Sequence, residues 1–218
     1  MARLLDPVRE SWLRLVERHR AIAIIRANSL AQGIAMASAA AAGGFRLLEV
    51  TWTNNASPGA MTKQLSQVLP HCIIGAGSVL TPDDLKGAIA ANAQFCFTPH
   101  TDNKLLAIAK DHSLPMISGA LTPTEIMVAW NAGAASVKVF PISALGNAAY
   151  IRSLVKPLGP VRLIPTGGVT SESAPELIAA GAIAVGLSSA LFPKAEVERS
   201  DWSAIEARSR YLLTLLSD

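Results

Sequence analysis

Eight short apolar runs, separated by helix-length segments rich in Ala and Leu, constrain the fold of this 218-residue chain more than any other feature. Strand-length runs that alternate with helices predict a parallel sheet covered by helices. Eight strands are the number that a closed barrel requires, so we predict an α/β fold, the (β/α)8 TIM barrel. The runs are Ala21–Ile25, Phe45–Val50, Cys72–Gly75, Gln94–Phe97, Pro115–Ile117, Ser136–Phe140, Arg162–Ile164 and Ile183–Gly186.

Two helices are expected outside the eight repeats. Asp6–Arg20 predicts an extra helix before the first strand, and Asp201–Leu216 has apolar residues at helical spacing. Trp12 and Trp202 are expected to pack these helices against the rest of the protein. The length suits one domain. We expect a single barrel domain over 1–218, with the N-terminal helix in 1–20, the barrel in 21–193 and the closing helix in 194–218.

Helix boundaries are marked in the sequence. Thr81-Pro82-Asp83-Asp84 and Thr122-Pro123-Thr124-Glu125 each provide an N-cap residue, a proline at the first helical position and early acids. Gly43, Gly133 and Gly181 occur where helices are expected to end.

The alternative fold is an open, doubly wound sheet. That fold needs a glycine-rich phosphate turn after its first strand. Here the first run is followed by Arg26-Ala27-Asn28-Ser29, which contains no glycine. The pattern therefore favours the barrel.

Composition excludes several classes of protein. Half of the residues are hydrophobic, but the Ala-rich stretch Ile34–Gly44 is too short to cross a bilayer, so we expect no membrane partner. The charged N-terminus lacks the apolar segment of a secretory signal, which favours a cytoplasmic location. The net charge of +3 comes from scattered basic residues, so nucleic acid is not an expected partner. Cys72 and Cys96 lack metal-ligand spacing.

Lys138 is the sharpest candidate for chemistry, because it interrupts the apolar strand Ser136–Phe140. A lysine is rarely buried without a partner. Burial disfavours the ammonium form and leaves a free amine that attacks carbonyl groups. The alternative is an outward-facing lysine whose charge reaches solvent between the helices.

Glu49 lies near the end of the second predicted strand, and Lys138 lies on the sixth. Alternate strands of such a barrel share interior layers, so both side chains are expected to point into one site. A carboxyl group there moves protons during imine formation. The alternative is an ion pair that satisfies both charges.

Other polar residues follow the predicted strands. Arg26 follows the first strand, and its guanidinium suits a carboxylate or phosphate, against the alternative of a surface salt bridge. Ser78 follows the third strand beside glycines. His100, after Pro99, is expected to be a solvated residue at the rim, and the histidines form no metal cluster.

Two loops predict a phosphate site. Thr166-Gly167-Gly168 follows the seventh strand, and Ser188-Ser189 follows the eighth. Barrels bind phosphate with these two loops, often with the N-terminus of a short helix, through converging N–H groups. The alternative is a pair of ordinary tight turns.

Several ordered motifs resemble the 2-keto-3-deoxy-6-phosphogluconate (KDPG) aldolase family, including its 6-phosphogalactonate and 4-hydroxy-2-oxoglutarate relatives. The resemblance extends from about Ala21 to Pro193. It is carried by Ile24-Ile25-Arg26, Leu48-Glu49-Val50-Thr51, Gly75-Ala76-Gly77-Ser78-Val79-Leu80, Val137-Lys138-Val139-Phe140-Pro141 and Pro165-Thr166-Gly167-Gly168-Val169.

The resemblance implies a class I aldolase of Entner–Doudoroff carbohydrate metabolism that forms pyruvate and glyceraldehyde 3-phosphate. It implies Lys138 as the Schiff-base lysine, Glu49 as the acid and base, no cofactor or metal, and a homotrimer. The substrate-binding residues are then expected to be Arg26, Ser78, Pro99, Phe140, Thr166, Gly167, Gly168, Ser188 and Ser189.

The chain departs from the gluconate-type pattern at two positions. Thr53 stands where that pattern has an arginine, and Ser188 stands where the phosphate loop usually has a glycine. One alternative is therefore a lyase or decarboxylase for unphosphorylated 2-keto acids, and another is a non-catalytic phosphate-binding barrel in which Lys138 and Glu49 form a structural pair. A metal-dependent aldolase is disfavoured by the lack of a His/Asp cluster.

Overall fold

The computed structural model describes residues 6–53 and 55–217, which form eight parallel strands wrapped into a barrel. The strands are hydrogen-bonded in the order β7-β6-β5-β4-β3-β2-β1-β8. A bridge between Thr166 and Gly186 connects the two ends of this order. The strands are β1 (Ala21–Ile25), β2 (Leu47–Thr51), β3 (Ile73–Gly77), β4 (Cys96–Phe97), β5 (Met116–Ala120), β6 (Ser136–Val139), β7 (Leu163–Pro165) and β8 (Val185–Leu187).

Helices alternate with the strands and cover the outside of the barrel. None of the helices within the described ranges is long and apolar enough to cross a membrane. The helices are α1 (Pro7–His19), α2 (Leu30–Ala42), α3 (Pro58–Val68), α4 (Pro82–Ala90), α5 (Asn103–Asp111), α6 (Pro123–Asn131), α7 (Ala148–Leu158), α8 (Ser173–Ala179), α9 (Lys194–Glu198) and α10 (Trp202–Leu215), with a 3-10 helix at Ile142–Leu145.

The predicted helix boundaries are confirmed. Thr81 and Thr122 each form a capping box, in which the threonine hydroxyl accepts a bond from the N3 backbone and the N3 carboxylate accepts one from the cap. Gly43 is the C-cap of α2. Gly133 and Gly181 follow α6 and α8 with φ of +103° and +106°, a conformation that glycine adopts without strain.

Several predicted strand ends were wrong. The fifth strand extends to Ala120, beyond the predicted end at Ile117. Its last three residues, Ser-Gly-Ala, include none of the β-branched or aromatic residues that usually indicate a strand. The eighth begins at Val185 rather than Ile183. The closing segment contains two helices, separated where Ser200 has φ +56° and Asp201 caps α10. The first strand matches its predicted bounds, as do the end of the fourth and the start of the sixth, and the other starts and ends differ from the predicted ones by one or two residues.

The barrel has an outer core and an interior core. Alternate strand residues face the helices, and Trp202 packs against this outer layer. The intervening residues face the barrel axis, where Ile22, Leu47 and Ile164 pack with Trp12 of α1. Trp12 is 2% exposed, so the extra N-terminal helix seals the end of the barrel where the strands begin.

Gly119 gives a test of this packing. A Cβ at Gly119 would overlap the backbone of Pro99 and His100, which cannot rotate away. Gly119→Ala is therefore expected to lower the free energy of unfolding by about 1–3 kcal/mol, measured by urea denaturation. Gly87→Ala in α4 is the matched control, because its Cβ meets only the Trp52 ring at 3.3 Å and alanine favours a helix. Equal losses in both variants would contradict this account.

Candidate active site

The carboxyl end of the barrel contains two buried ionisable side chains. Glu49 on β2 is 1% exposed, and Lys138 on β6 is 4% exposed. Each lies two residues after an interior residue, Leu47 and Ser136 respectively, so the alternation of the strands turns both toward the barrel axis. The expectation that both groups point into one interior site agrees with this geometry.

Two aromatic rings lie near the amine of Lys138. Its Nζ lies 5.7 Å from the ring centroid of Phe97 and 4.9 Å from that of Phe140. The predicted alternative of an outward-facing lysine is wrong, because Lys138 is buried among interior residues. Burial lowers the pKa of Lys138, with Glu49 opposing this shift and Arg26 adding to it. The environment therefore favours the neutral, nucleophilic amine.

The Glu49 side chain lies over β3, where a Cβ on Gly77 would overlap its carboxylate. Glycine at position 77 therefore makes room for the acid. Burial raises the pKa of Glu49, and the charges of Lys138 and Arg26 lower it. Desolvation is the larger effect, so the protonated carboxyl is favoured.

Glu49 and Lys138 do not form a direct ion pair. Within residues 6–53 and 55–217, no carboxylate oxygen lies within 4.0 Å of Lys138 Nζ. The two pKa directions both favour uncharged groups, an amine and a carboxylic acid. This combination suits carbinolamine formation, because the amine attacks a carbonyl while the acid protonates its oxygen.

Arg26 follows β1 at the same end of the barrel, and its side chain is exposed. Its charge lowers the pKa values of both Glu49 and Lys138. No carboxylate in the described part of the chain pairs with Arg26 within 4.0 Å. The alternative of a surface salt bridge is therefore wrong for these residues, and Arg26 adds a positive charge at the carboxyl end of the barrel, the mouth of the site.

The loop after β7 approaches the loop after β6. Gly167 and Gly168 have φ of +88° and +78°. A Cβ at Gly167 would meet the Phe140 ring, and one at Gly168 would overlap Ser143. Ser143 N donates a hydrogen bond of 3.2 Å to Gly167 O. The glycines therefore bring backbone close to the mouth, as a phosphate loop requires.

The other predicted binding residues surround this mouth. Ser188 is half-buried and Ser189 exposed directly after β8, but the short helix α9 begins only at Lys194. A turn rather than a helix N-terminus follows the serines, which corrects that part of the prediction. Ser78 follows β3 with φ +55°. Pro99 is half-buried beside the exposed His100.

Residues 13–208 match the model of the family described as KDPG and KHG aldolase. This chain belongs to the KDPG and KHG aldolase family.

Two solved structures and one sequence illustrate the relationship of this family member to others. A Pseudomonas aeruginosa protein named 2-dehydro-3-deoxy-phosphogluconate aldolase is 34% identical over 199 residues, covering 91% of this chain and 90% of that protein. A KDPG aldolase from Legionella pneumophila, with pyruvate captured as a covalent carbinolamine, has a TM-score of 0.83, 27% identity, and coverage of 92% and 97%. A structure called native KDPGal has a TM-score of 0.80, 28% identity, and coverage of 89% and 93%.

Sequence reasoning missed two contributors to this aldolase-family site. Phe97 is a short-strand phenylalanine whose pattern signals only core, although its ring faces Lys138. Gly77 was noted only as one of the glycines beside Ser78, although its lack of a side chain makes room for the Glu49 carboxylate. Alternation along β3 and β4 identifies both as inward-facing, but it does not identify the side chain opposite.

Among the described residues, no three His, Cys, Asp or Glu side chains are grouped to hold a metal ion.

Proposed function

We propose that this protein is a lyase, a class I aldolase that cleaves KDPG to pyruvate and glyceraldehyde 3-phosphate through an imine on Lys138. The observation that carries the proposal is the buried Lys138 amine, which shares the barrel interior with the buried Glu49. Membership of the KDPG and KHG aldolase family supports the same chemistry.

The reaction assigns a step to each group. The Lys138 amine attacks the keto carbon, and the carbinolamine loses water to give a protonated imine. Glu49 first supplies a proton to the departing oxygen and then, as carboxylate, accepts the proton of the C4 hydroxyl. The C3–C4 bond breaks, its electrons enter the imine, and the aldehyde leaves. Protonation of the enamine at C3 and hydrolysis release pyruvate and restore the amine.

Anion recognition is assigned to different parts of the mouth. We assign the carboxylate beside the keto group to Arg26, whose charge reaches both Glu49 and Lys138. The phosphate is assigned to the backbone of Gly167 and Gly168 together with Ser188 and Ser189. Ser78, Pro99, Phe140 and Thr166 complete the proposed substrate pocket.

The second candidate substrate is 4-hydroxy-2-oxoglutarate. The family includes aldolases of this substrate, which is abbreviated KHG. Thr53 and Ser188 also replace the arginine and the glycine that the gluconate-type pattern has at two anion-binding positions. The 6-phosphogalactonate epimer is a further variant of the main proposal, supported by the likeness to the KDPGal structure. Each of these substrates uses the same imine on Lys138.

A comparison of kcat/KM separates these substrates. Pyruvate release is measured with purified protein and KDPG, its galactonate epimer or 4-hydroxy-2-oxoglutarate, each with and without a chelator. A clear preference for a phosphorylated acid, unaffected by the chelator, supports the proposal. A higher kcat/KM for 4-hydroxy-2-oxoglutarate selects the second candidate, and no turnover of any substrate argues for a binding protein.

Replacement of Arg26 by methionine tests its assigned role. Hydrogen bonds to charged groups contribute about 1.5–3 kcal/mol, so the KM for KDPG is expected to rise about 10- to 100-fold. The pyruvate concentration for half-maximal trapping should rise equally, because pyruvate retains the carboxylate. Arg14→Met at the opposite end of the barrel is the control. A rise for KDPG without a change for pyruvate would move Arg26 to the phosphate.

Assembly and location complete the proposal. We propose a homotrimer that acts in the cytoplasm in Entner–Doudoroff metabolism, on the resemblance of the motifs to the aldolase family. Light scattering on the purified protein tests the assembly, which should give three times the mass of one chain. The proposed chemistry uses the lysine itself and needs no cofactor.

A further inference from the structure

Three aromatic rings form a continuous cluster on the N-terminal side of Lys138. The ring centroids of Trp12 and Phe95 are 5.2 Å apart, those of Trp12 and Phe97 6.1 Å, and those of Phe95 and Phe97 5.8 Å. All three side chains are at most 2% exposed. Phe97 is the member that meets the amine, with Lys138 Nζ 5.7 Å from its centroid. We call Trp12, Phe95 and Phe97 the aromatic floor.

Neighbouring residues make space for the aromatic floor and hold it in place. A Cβ at Gly75 would overlap the Phe95 ring, so the glycine leaves the space that this ring occupies. Helix α1 supplies Trp12, whose indole N–H donates a 2.9 Å hydrogen bond to Ser136 Oγ. Ser136 lies two residues before Lys138 on β6, on the same face of the strand. Strand β6 therefore carries both Lys138 and the serine to which the aromatic floor is hydrogen-bonded.

We infer that Phe97, supported by Phe95 and Trp12, is a positioning residue that closes the barrel beneath Lys138 and keeps water from reaching the amine from that side. This inference rests on the proposed imine chemistry of Lys138. A ring-filled floor excludes water because it leaves neither space nor polar partners for a water molecule.

Two effects of the Phe97 ring on Lys138 oppose each other. Its face attracts the ammonium form by a cation–π interaction, whereas its apolar volume removes water that would stabilise that form. The charged and titratable groups that act on Lys138 are Glu49, Arg26 and Cys96. Desolvation is the largest influence on Lys138 and lowers its pKa. Exclusion of water by the floor is therefore expected to outweigh the attraction of the ring face.

Phe97→Thr and Phe97→Val form a matched pair of variants. Both remove the ring and leave a similar void, but only threonine offers a hydroxyl to hold water in it. The measurement is the rate of pyruvate trapping with cyanoborohydride from pH 5 to 10, from which a pH midpoint is obtained for each variant and for the wild type. Phe45→Leu in the outer core is the control, because Phe45 is equally buried but belongs to another cluster.

The two variants are expected to differ. The pH midpoint for trapping should rise by about one unit in Phe97→Thr, because a hydrated amine holds its proton more tightly, and trapping well below the midpoint should fall about tenfold. The midpoint should move less in Phe97→Val, whose void is apolar. Trp12→Phe is a milder second variant, and it should shift the midpoint upward because it frees the Ser136 hydroxyl for water.

Three results would contradict the proposed role of Phe97 or the imine chemistry on which it rests. A downward shift in both Phe97 variants would assign the effect to the ring face and overturn the inference. Unchanged midpoints in folded Phe97→Thr and Trp12→Phe, with circular dichroism as the check of folding, would reduce the floor to ordinary packing. Absence of any wild-type adduct at every pH would instead reject the proposed imine chemistry.

Discussion

Lys138→Met is expected to abolish covalent capture of pyruvate and all measurable aldol cleavage. Methionine has a similar length and fills the space between the Phe97 and Phe140 rings, but it has no amine to form the imine. The measurement is intact-protein mass spectrometry after incubation with pyruvate and borohydride, followed by peptide mapping. Wild-type protein should gain one reduced pyruvate on the peptide that contains Lys138.

The same variant is expected to be at least as stable as the wild type at neutral pH. Burial lowers the folded-state pKa of Lys138, so the unfolded chain binds more protons than the folded one between the two pKa values. The free energy of unfolding is therefore highest above the unfolded-state pKa of Lys138, and it decreases as the pH falls from that value through the folded-state pKa. Methionine removes that loss, and it should flatten the fall in stability toward lower pH.

Lys63→Met on the exposed surface of α3 is the control for both measurements. It should retain the adduct, the turnover and the wild-type dependence of stability on pH. An adduct that persists in Lys138→Met would move the imine to another lysine. A fall in Tm of more than about 5 °C, near 2 kcal/mol for a chain of this size, would favour a structural role for Lys138.

The burial of Lys138 and Glu49 in one barrel was predictable because charged residues inside apolar strands are conspicuous. Lys138 and Glu49 interrupt runs that are otherwise mostly apolar, and the strand count predicted the barrel that turns both inward. The capping boxes at Thr81 and Thr122 were predictable for a similar reason, since local bonds among four consecutive residues determine them.

Contacts across the barrel were less accessible to sequence reasoning. The pattern allowed an ion pair between Glu49 and Lys138, whereas the structure separates the two groups beyond 4.0 Å. Phe97 appears in sequence as one more core residue, and its proximity to the amine depends on the curvature of the barrel. The start of α9 at Lys194 depends on how the chain leaves β8, which no residue preference determines.

Glu49→Gln is expected to reduce kcat for KDPG by about 10²- to 10⁴-fold, the usual contribution of a positioned acid or base. Glutamine is nearly isosteric and keeps its place over Gly77, so the KM should change much less than kcat. Pyruvate should still be trapped on Lys138, but more slowly, because the amine remains while assisted loss of water does not. Glu206→Gln on α10 is the control and should leave kcat unchanged.

The pH dependence of Glu49→Gln distinguishes proton transfer from a structural role. Burial raises the folded-state pKa of Glu49, so the folded protein binds the proton more tightly than the unfolded chain. Stability from this group is present below the unfolded pKa and is lost as pH rises through the folded pKa. Glu49→Gln should therefore match or exceed wild-type stability at high pH, while the alkaline limb of the kcat profile, where Glu49 loses the proton that it supplies to the departing oxygen, disappears. A variant that loses stability but keeps that limb would show that Glu49 supports the fold rather than the chemistry.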